Sequence, residues 1–249
     1  MLNLDFSVPD ALLLPKRVTD LREHLSKAKA HWFTMSPEWV DADDSSPNSI
    51  STLRSCTTAA HAERTIPHAG SPFENYKTAN ARLEFRAGHH CGYTVPGPVD
   101  TIQDWSYAIR FQAHSGEALT LLTLNFSDSN NYVFLQHVGG AMTFQDRKGT
   151  FKLSTPFTSD HDCLVVAGQS DGRFWLRVNN ETVVSETQAT PDLAGPSHLF
   201  IGCRSQRAGL KKKLGTFELT DVIFWPDRNV LKADHEMTVQ ALDLLGLRG

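Results

Sequence analysis

From residue 105 onward the apolar positions fall on every second residue. Trp105, Tyr107, Ile109 and Phe111 alternate with Ser106, Ala108, Arg110 and Gln112, which is the pattern of a strand with one buried face. Further short segments of strand character run from Arg82 to Phe85, Ala118 to Asn125, Tyr132 to Gln136, Met142 to Gln145, Phe151 to Ser154, Cys163 to Ala167, Arg173 to Val178, Thr182 to Glu186, His198 to Cys203 and Thr216 to Trp225. Between them stand Gly139-Gly140, Asp146-Arg147-Lys148-Gly149, Ser170-Asp171-Gly172 and Asn179-Asn180, all turn-forming. Many short strands, tight turns and no intervening helices predict a mainly β protein, a two-sheet antiparallel jelly-roll sandwich.

The first third has a different texture. Val18, Leu21, Leu25 and Ala28 lie at helical spacing and Thr19 with Asp20 supplies a start, so a short helix is expected there. From Ser36 to Ser71 the chain is rich in turn residues and shows little periodicity, and it reads as an irregular arm. Asp234 to Leu245 has a second helical pattern, with Asp234 as N-cap and Gly246 as terminator. The expected organisation is an anchoring arm over 1–78, a β-sandwich over 79–229 and a C-terminal helix over 230–249.

Composition narrows the function classes. The 249 residues are 40% hydrophobic and 21% charged, with a net charge of −4, so a nucleic acid partner is not expected. No apolar run is long enough to span a bilayer, and the N-terminus has no basic n-region, so no membrane partner and synthesis in the cytoplasm without a signal peptide are expected. Cys56, Cys91, Cys163 and Cys203 form no C-x-x-C pair and read as buried thiols.

Three segments carry a resemblance. Ala81 to Gly88 with Tyr93-Thr-Val-Pro and Asp104 to Phe111, then Asp171 to Asn180, then Leu199 to Arg204 with Gly215 to Trp225, together resemble concanavalin A-like, laminin G-like jelly rolls over about 79–229. That resemblance implies a lectin-like architecture shared by sugar-binding lectins, glucanases, adhesion modules and parts of virus particles. A β-sandwich behind an irregular arm also resembles the layout of phage or phage-like particle spikes and fibres. It implies a virion location, a carbohydrate-binding or adhesion role on a cell-surface polysaccharide, contacts with other structural proteins of the assembly, and a homo-oligomer. The alternative is a purely structural virion protein that uses the jelly roll for protein contacts.

Catalysis is not expected. The glycosidases of this architecture need two carboxylates facing one cleft. The nearest approach, Glu218-Leu-Thr-Asp221, has an odd spacing that places them on opposite faces of a regular strand. His89-His90-Cys91 and the Asp41, Asp43, Asp44 run lack the remainder of a metal motif, so no cofactor is expected and calcium has no motif to support it. Binding residues are expected in polar turns and on aromatic faces: Asp128, Asn130, Asn131 and Tyr132 on one loop, Trp175 on a hairpin strand, and Arg204 and Arg207 in the basic stretch before the last strand.

Overall fold

The computed structural model describes residues 20–44, 46–65, 75–89, 91–97, 104–113, 117–126, 131–158, 161–179, 181–185, 196–205 and 213–232. The expected C-terminal helix lies outside the described residues, as do Asp128, Asn130 and Arg207.

Two antiparallel sheets form the sandwich. Sheet A runs β15 (Glu181–Val184), β14 (Arg173–Val178), β13 (Cys163–Ser170), β8 (Trp105–Gln112), β17 (Phe217–Trp225), β6 (Arg82–Phe85) and β5 (Tyr76–Lys77), with β1 (His31–Thr34) also paired to β17. Sheet B runs β12 (Lys152–Pro156), β11 (Ala141–Asp146), β10 (Asn131–Val138), β9 (Leu119–Phe126), β16 (Ser197–Ile201), β7 (Tyr93–Pro96), β4 (His61–Arg64), β3 (Ser46–Arg54) and β2 (Val40–Asp43). The strands expected after residue 80 are all present, with ends within three residues of those expected. Their turns work as the sequence implies: Asp171 and Gly172, at φ 50° and 72°, close the β13–β14 hairpin in the left-handed region that a two-residue loop of this hand requires.

One face of each sheet supplies a continuous core. Trp105 on sheet A meets Phe144 on sheet B edge to face at 6.1 Å, and Phe151 stacks on Phe174 at 3.6 Å. Sheet A carries a second layer on its outer face. Residues 20–27 form helix α1, whose Leu21 and Leu25 pack, with Ala28 just after the helix, against Trp32, Ala108, Val166, Ile223 and Trp225. The helix ends where Lys29 turns left-handed at φ 52° and the Ala30 N–H returns to the Leu25 carbonyl at 2.9 Å.

Within the arm expected over 1–78, the described strands belong to the two sheets. His31–Thr34 pairs with β17, Val40–Asp43, Ser46–Arg54 and His61–Arg64 complete sheet B as β2, β3 and β4, and β5 extends sheet A. The sequence hides them because they are short, bulged and half exposed: the β2–β3 register shifts twice within four residues, so no period of two survives. The calcium-like acidic run belongs to this region and is spent on ion pairs, Asp41 with Arg54 at 3.0 Å and Asp43 with Arg64 at 2.8 Å.

A bulge also overturns the carboxylate argument. Glu218 stands opposite Gln112 and Asp221 opposite Arg110, with the register shifting between Leu219 and Asp221. Gln112 and Arg110 are two residues apart on β8, so Glu218 and Asp221 share the outer face of sheet A. Around them Asp162 binds Arg82 and Arg110 at 2.9 and 3.0 Å, Lys77 and Arg82 bind Glu218, and Asp221 accepts a hydrogen bond from Trp32 Nε1 at 2.9 Å. Burial raises the Asp221 pKa above the usual carboxylate value, against the opposing pull of Trp32 and Arg110.

Candidate functional site

The outer face of sheet B is built differently from that of sheet A. Side chains directly opposite one another on neighbouring strands share a face, so the register defines rows across the sheet. One row holds Gln145, Phe134, Thr123, Phe200, Thr94 and Glu63 across β11, β10, β9, β16, β7 and β4. The neighbouring row holds Tyr132, Asn125, His198 and Pro96. Aromatic rings thus alternate with hydroxyl, amide and imidazole groups over a rigid ladder.

Arg204 lies across these rows. Its guanidinium sits 3.8 Å from the centre of the Phe134 ring, donates from Nε to Thr120 Oγ1 at 3.0 Å and from Nη2 to Gln136 Oε1 at 2.6 Å. Burial lowers its pKa, and a hydrogen bond with Tyr132 opposes that shift. No carboxylate pairs with it among the described residues. The guanidinium carbon of Arg147 also lies 6.0 Å from the centre of the Tyr132 ring. The Tyr132 ring, half exposed, therefore has two cations close to it.

The face also keeps unspent hydrogen-bonding capacity. Thr94 Oγ1, Thr123 Oγ1 and Asn125 Oδ1 are buried and have no hydrogen-bond partner among the described residues. Phe200 packs with Cys203 and Leu214, so the segment carrying Arg204 is fastened to the sheet by a small apolar cluster of its own.

Of the expected binding residues, the structure brings Tyr132 and Arg204 together. Asn131 opens β10 opposite Phe126, half-buried at the end of the same ladder. Trp175 is elsewhere. It lies on β14 of sheet A, opposite Gly168 and Val184, on the far side of the core from Tyr132, with its Nε1 buried and without a partner among the described residues. Asn125, Phe134, His198 and Phe200 were missed. Their signal in the sequence is the other half of the strand alternation, the positions that face away from the core. No group of three or more side chains able to hold a metal ion occurs among the described residues.

No family model matches the chain, and no curated protein matches it. Solved structures do. A Trypanosoma rangeli sialidase mutant displaying trans-sialidase activity aligns with a TM-score of 0.59 and 13% identity, over 96% of this chain and 40% of that one. The same sialidase in complex with sialic acid aligns with a TM-score of 0.59 and 12% identity, over 95% of this chain and 39% of that one. A botulinum neurotoxin type C structure, described as depending upon interaction with two ganglioside molecules for getting into cells, aligns with a TM-score of 0.50 and 7% identity, over 90% of this chain and 53% of that one. The chain spans two fifths of the sialidases' length, and at these identities the likeness is one of fold.

These matches correct the expectation that the chain is not an enzyme. The sandwich is a fold that sialidase chains contain, so the architecture does not argue against catalysis. The carboxylate-spacing argument had already failed at the β17 bulge.

Proposed function

We propose that the protein binds carbohydrate on the outer face of sheet B, with Tyr132, Asn125, His198 and Arg204 as contact residues. The observation that carries this reading is Arg204, a half-buried guanidinium laid on an aromatic ring and held only by neutral groups among the described residues. A guanidinium in that setting favours a carboxylate, which it can meet with short charge-assisted hydrogen bonds. Tyr132 offers a ring face for a sugar, and Asn125 and His198 stand beside it for hydroxyls. The ligand class is therefore a glycan bearing a carboxylate. The ganglioside dependence of the neurotoxin and the sialic acid complex of the sialidase support the reading without locating a site here.

The donor set needs no metal, and binding is expected to survive a chelator. A shallow site on one sheet face binds weakly alone, so we further propose that the chain acts as a repeated component of a larger assembly, such as a spike or fibre of a phage-like particle, where multivalency raises avidity.

The test is a glycan array probed with the full chain at low and high salt, with Arg204→Ala and Tyr132→Ala alongside. Carboxylate-bearing glycans should bind above their neutral counterparts, and each substitution should weaken binding at least tenfold. Absence of glycan binding at any salt, or binding that both variants retain, would overturn the proposal.

A further inference from the structure

Register and burial together single out one open row on the outer face of sheet B. Tyr132 on β10, Asn125 on β9, His198 on β16 and Pro96 on β7 stand directly opposite one another across four strands. The first three are half-buried and Pro96 is exposed. The row alongside, two residues further along each strand, is closed: Phe134, Thr123, Phe200 and Thr94 are each at most 9% exposed. Neighbouring strands lie about 4.8 Å apart, so the open row is a ledge about 14 Å long that crosses the strands beside a filled shoulder.

The two rings on this ledge are held by the row behind it. Tyr132 leans on Phe134 with ring centres 5.7 Å apart and planes at 55°, and His198 leans on Phe200 at 6.2 Å and 42°. Asn125 separates them in the row, so the two rings stand two strand spacings apart, about 10 Å. An extended chain of pyranose rings advances by about one strand spacing per sugar, so successive sugars fall over Tyr132, Asn125 and His198 in turn. Asn125, whose Oδ1 has no hydrogen-bond partner among the described residues, stands at the middle position.

The two ends of the ledge differ in charge. Arg147 continues the ladder beyond Tyr132, its N–H donating to the Tyr132 carbonyl at 3.0 Å, and Arg204 hydrogen-bonds with the Tyr132 side chain. At the other end the neighbouring row runs on from Thr94 to Glu63 on β4, a carboxylate whose side chain is 65% exposed and lies 3.3 Å from His61 Nε2. Cations at one end and a carboxylate at the other give a bound acidic chain one favoured direction.

We propose, on the carbohydrate reading above, that the ledge takes an oligosaccharide of at least three sugars laid across the strands, with its carboxylated sugar at the Tyr132 end and uncharged sugars over Asn125 and His198. His198 sets the length, because its ring is the platform for the third sugar. Glu63 sets the direction, because it repels a second carboxylate at the far end.

Titration calorimetry on the full chain at low salt tests this with two series. One compares the methyl α-glycoside of sialic acid with 3′-sialyllactose, which carries one carboxylate at one end. The other compares galacturonic acid with trigalacturonic acid, in which every sugar carries one. In the wild type, 3′-sialyllactose should bind about tenfold more tightly than the single acidic sugar, and in His198→Ala that ratio should collapse to about one. Trigalacturonic acid should gain less over its monosaccharide, and Glu63→Gln should raise that gain about threefold. A wild-type ratio near one for 3′-sialyllactose, or a ratio that His198→Ala leaves intact, would overturn the proposal while leaving an acidic monosaccharide site at Arg204 standing. An equal gain for trigalacturonic acid, unchanged in Glu63→Gln, would overturn the direction. Failure of both series to bind the wild type would refute the carboxylate-glycan reading itself, and the proposal with it.

Discussion

Deleting residues 1–78 tests the architecture hardest, because a boundary there would leave an intact sandwich if those residues were only an anchor. In the structure the deletion strips five strands, β1 to β5, from both sheets. Trp32, Phe33, Met35, Ile50, Leu53 and Tyr76, each at most 7% exposed, leave with it. At roughly 2 kcal/mol for each buried side chain, their burial supplies about 12 kcal/mol. A whole domain is stable by only about 5–15 kcal/mol. The loss also bares one edge of β7 and one edge of β17 along the stretch that pairs with His31–Thr34. The 79–249 fragment is therefore expected to be insoluble or to lack near-ultraviolet circular dichroism, while the full chain unfolds cooperatively in urea. A soluble fragment that unfolds cooperatively within about 2 kcal/mol of the full chain would refute the assignment of these strands to the core.

Single substitutions extend the test. Phe33→Ala, at a fully buried site between β17 and the core, should cost about 3–5 kcal/mol in urea unfolding, and a loss under 1 kcal/mol would mean that β1 is not packed as described. Gly202→Ala combines a φ of 74° with a Cβ that would fall 2.0 Å from Phe85 Cε1, so it should destabilise by about 2–4 kcal/mol, and an unchanged urea midpoint would contradict that contact. Asp221 has its pKa raised by burial above 3.8, so the folded chain holds this proton more tightly than the unfolded one does. Its stabilising contribution is complete below the unfolded value and is lost as pH rises through the folded value. Asp221→Asn keeps an oxygen for Trp32 Nε1 and does not titrate, so the stability of the variant relative to wild type should rise with pH across that window and then level off. A difference independent of pH would show that the carboxyl is not perturbed.

The sandwich was legible wherever a strand buries one face and exposes the other. β8, β14 and β17 announce themselves through Trp105 to Phe111, Phe174 to Val178 and Phe217 to Trp225. Strands β2 to β5 were not legible, because short or bulged pairs do not sustain a period long enough to read. Bulges defeat sequence reasoning at β17 for the same reason, since one extra residue at Thr220 moves Asp221 to the other face. At the site, Tyr132 and Arg204 were visible as a polar turn residue and a basic loop residue. Their meeting was not, because it depends on β9 and β16 being neighbours although 70 residues separate their ends, Phe126 from Ser197. Trp175 drew attention as an aromatic on a hairpin, but only the sheet order reveals that the core stands between it and Tyr132.

The central claim is that a glycan is recognised on the outer face of sheet B, and amide and side-chain NMR mapping with a carboxylate-bearing glycan from the array tests it most directly. Shifts concentrated on Asn125, Tyr132, Phe134, His198 and Arg204, and abolished in Arg204→Ala, are the expected result. Shifts concentrated instead on sheet A around Trp175, or spread without saturation over both sheets, would contradict the account.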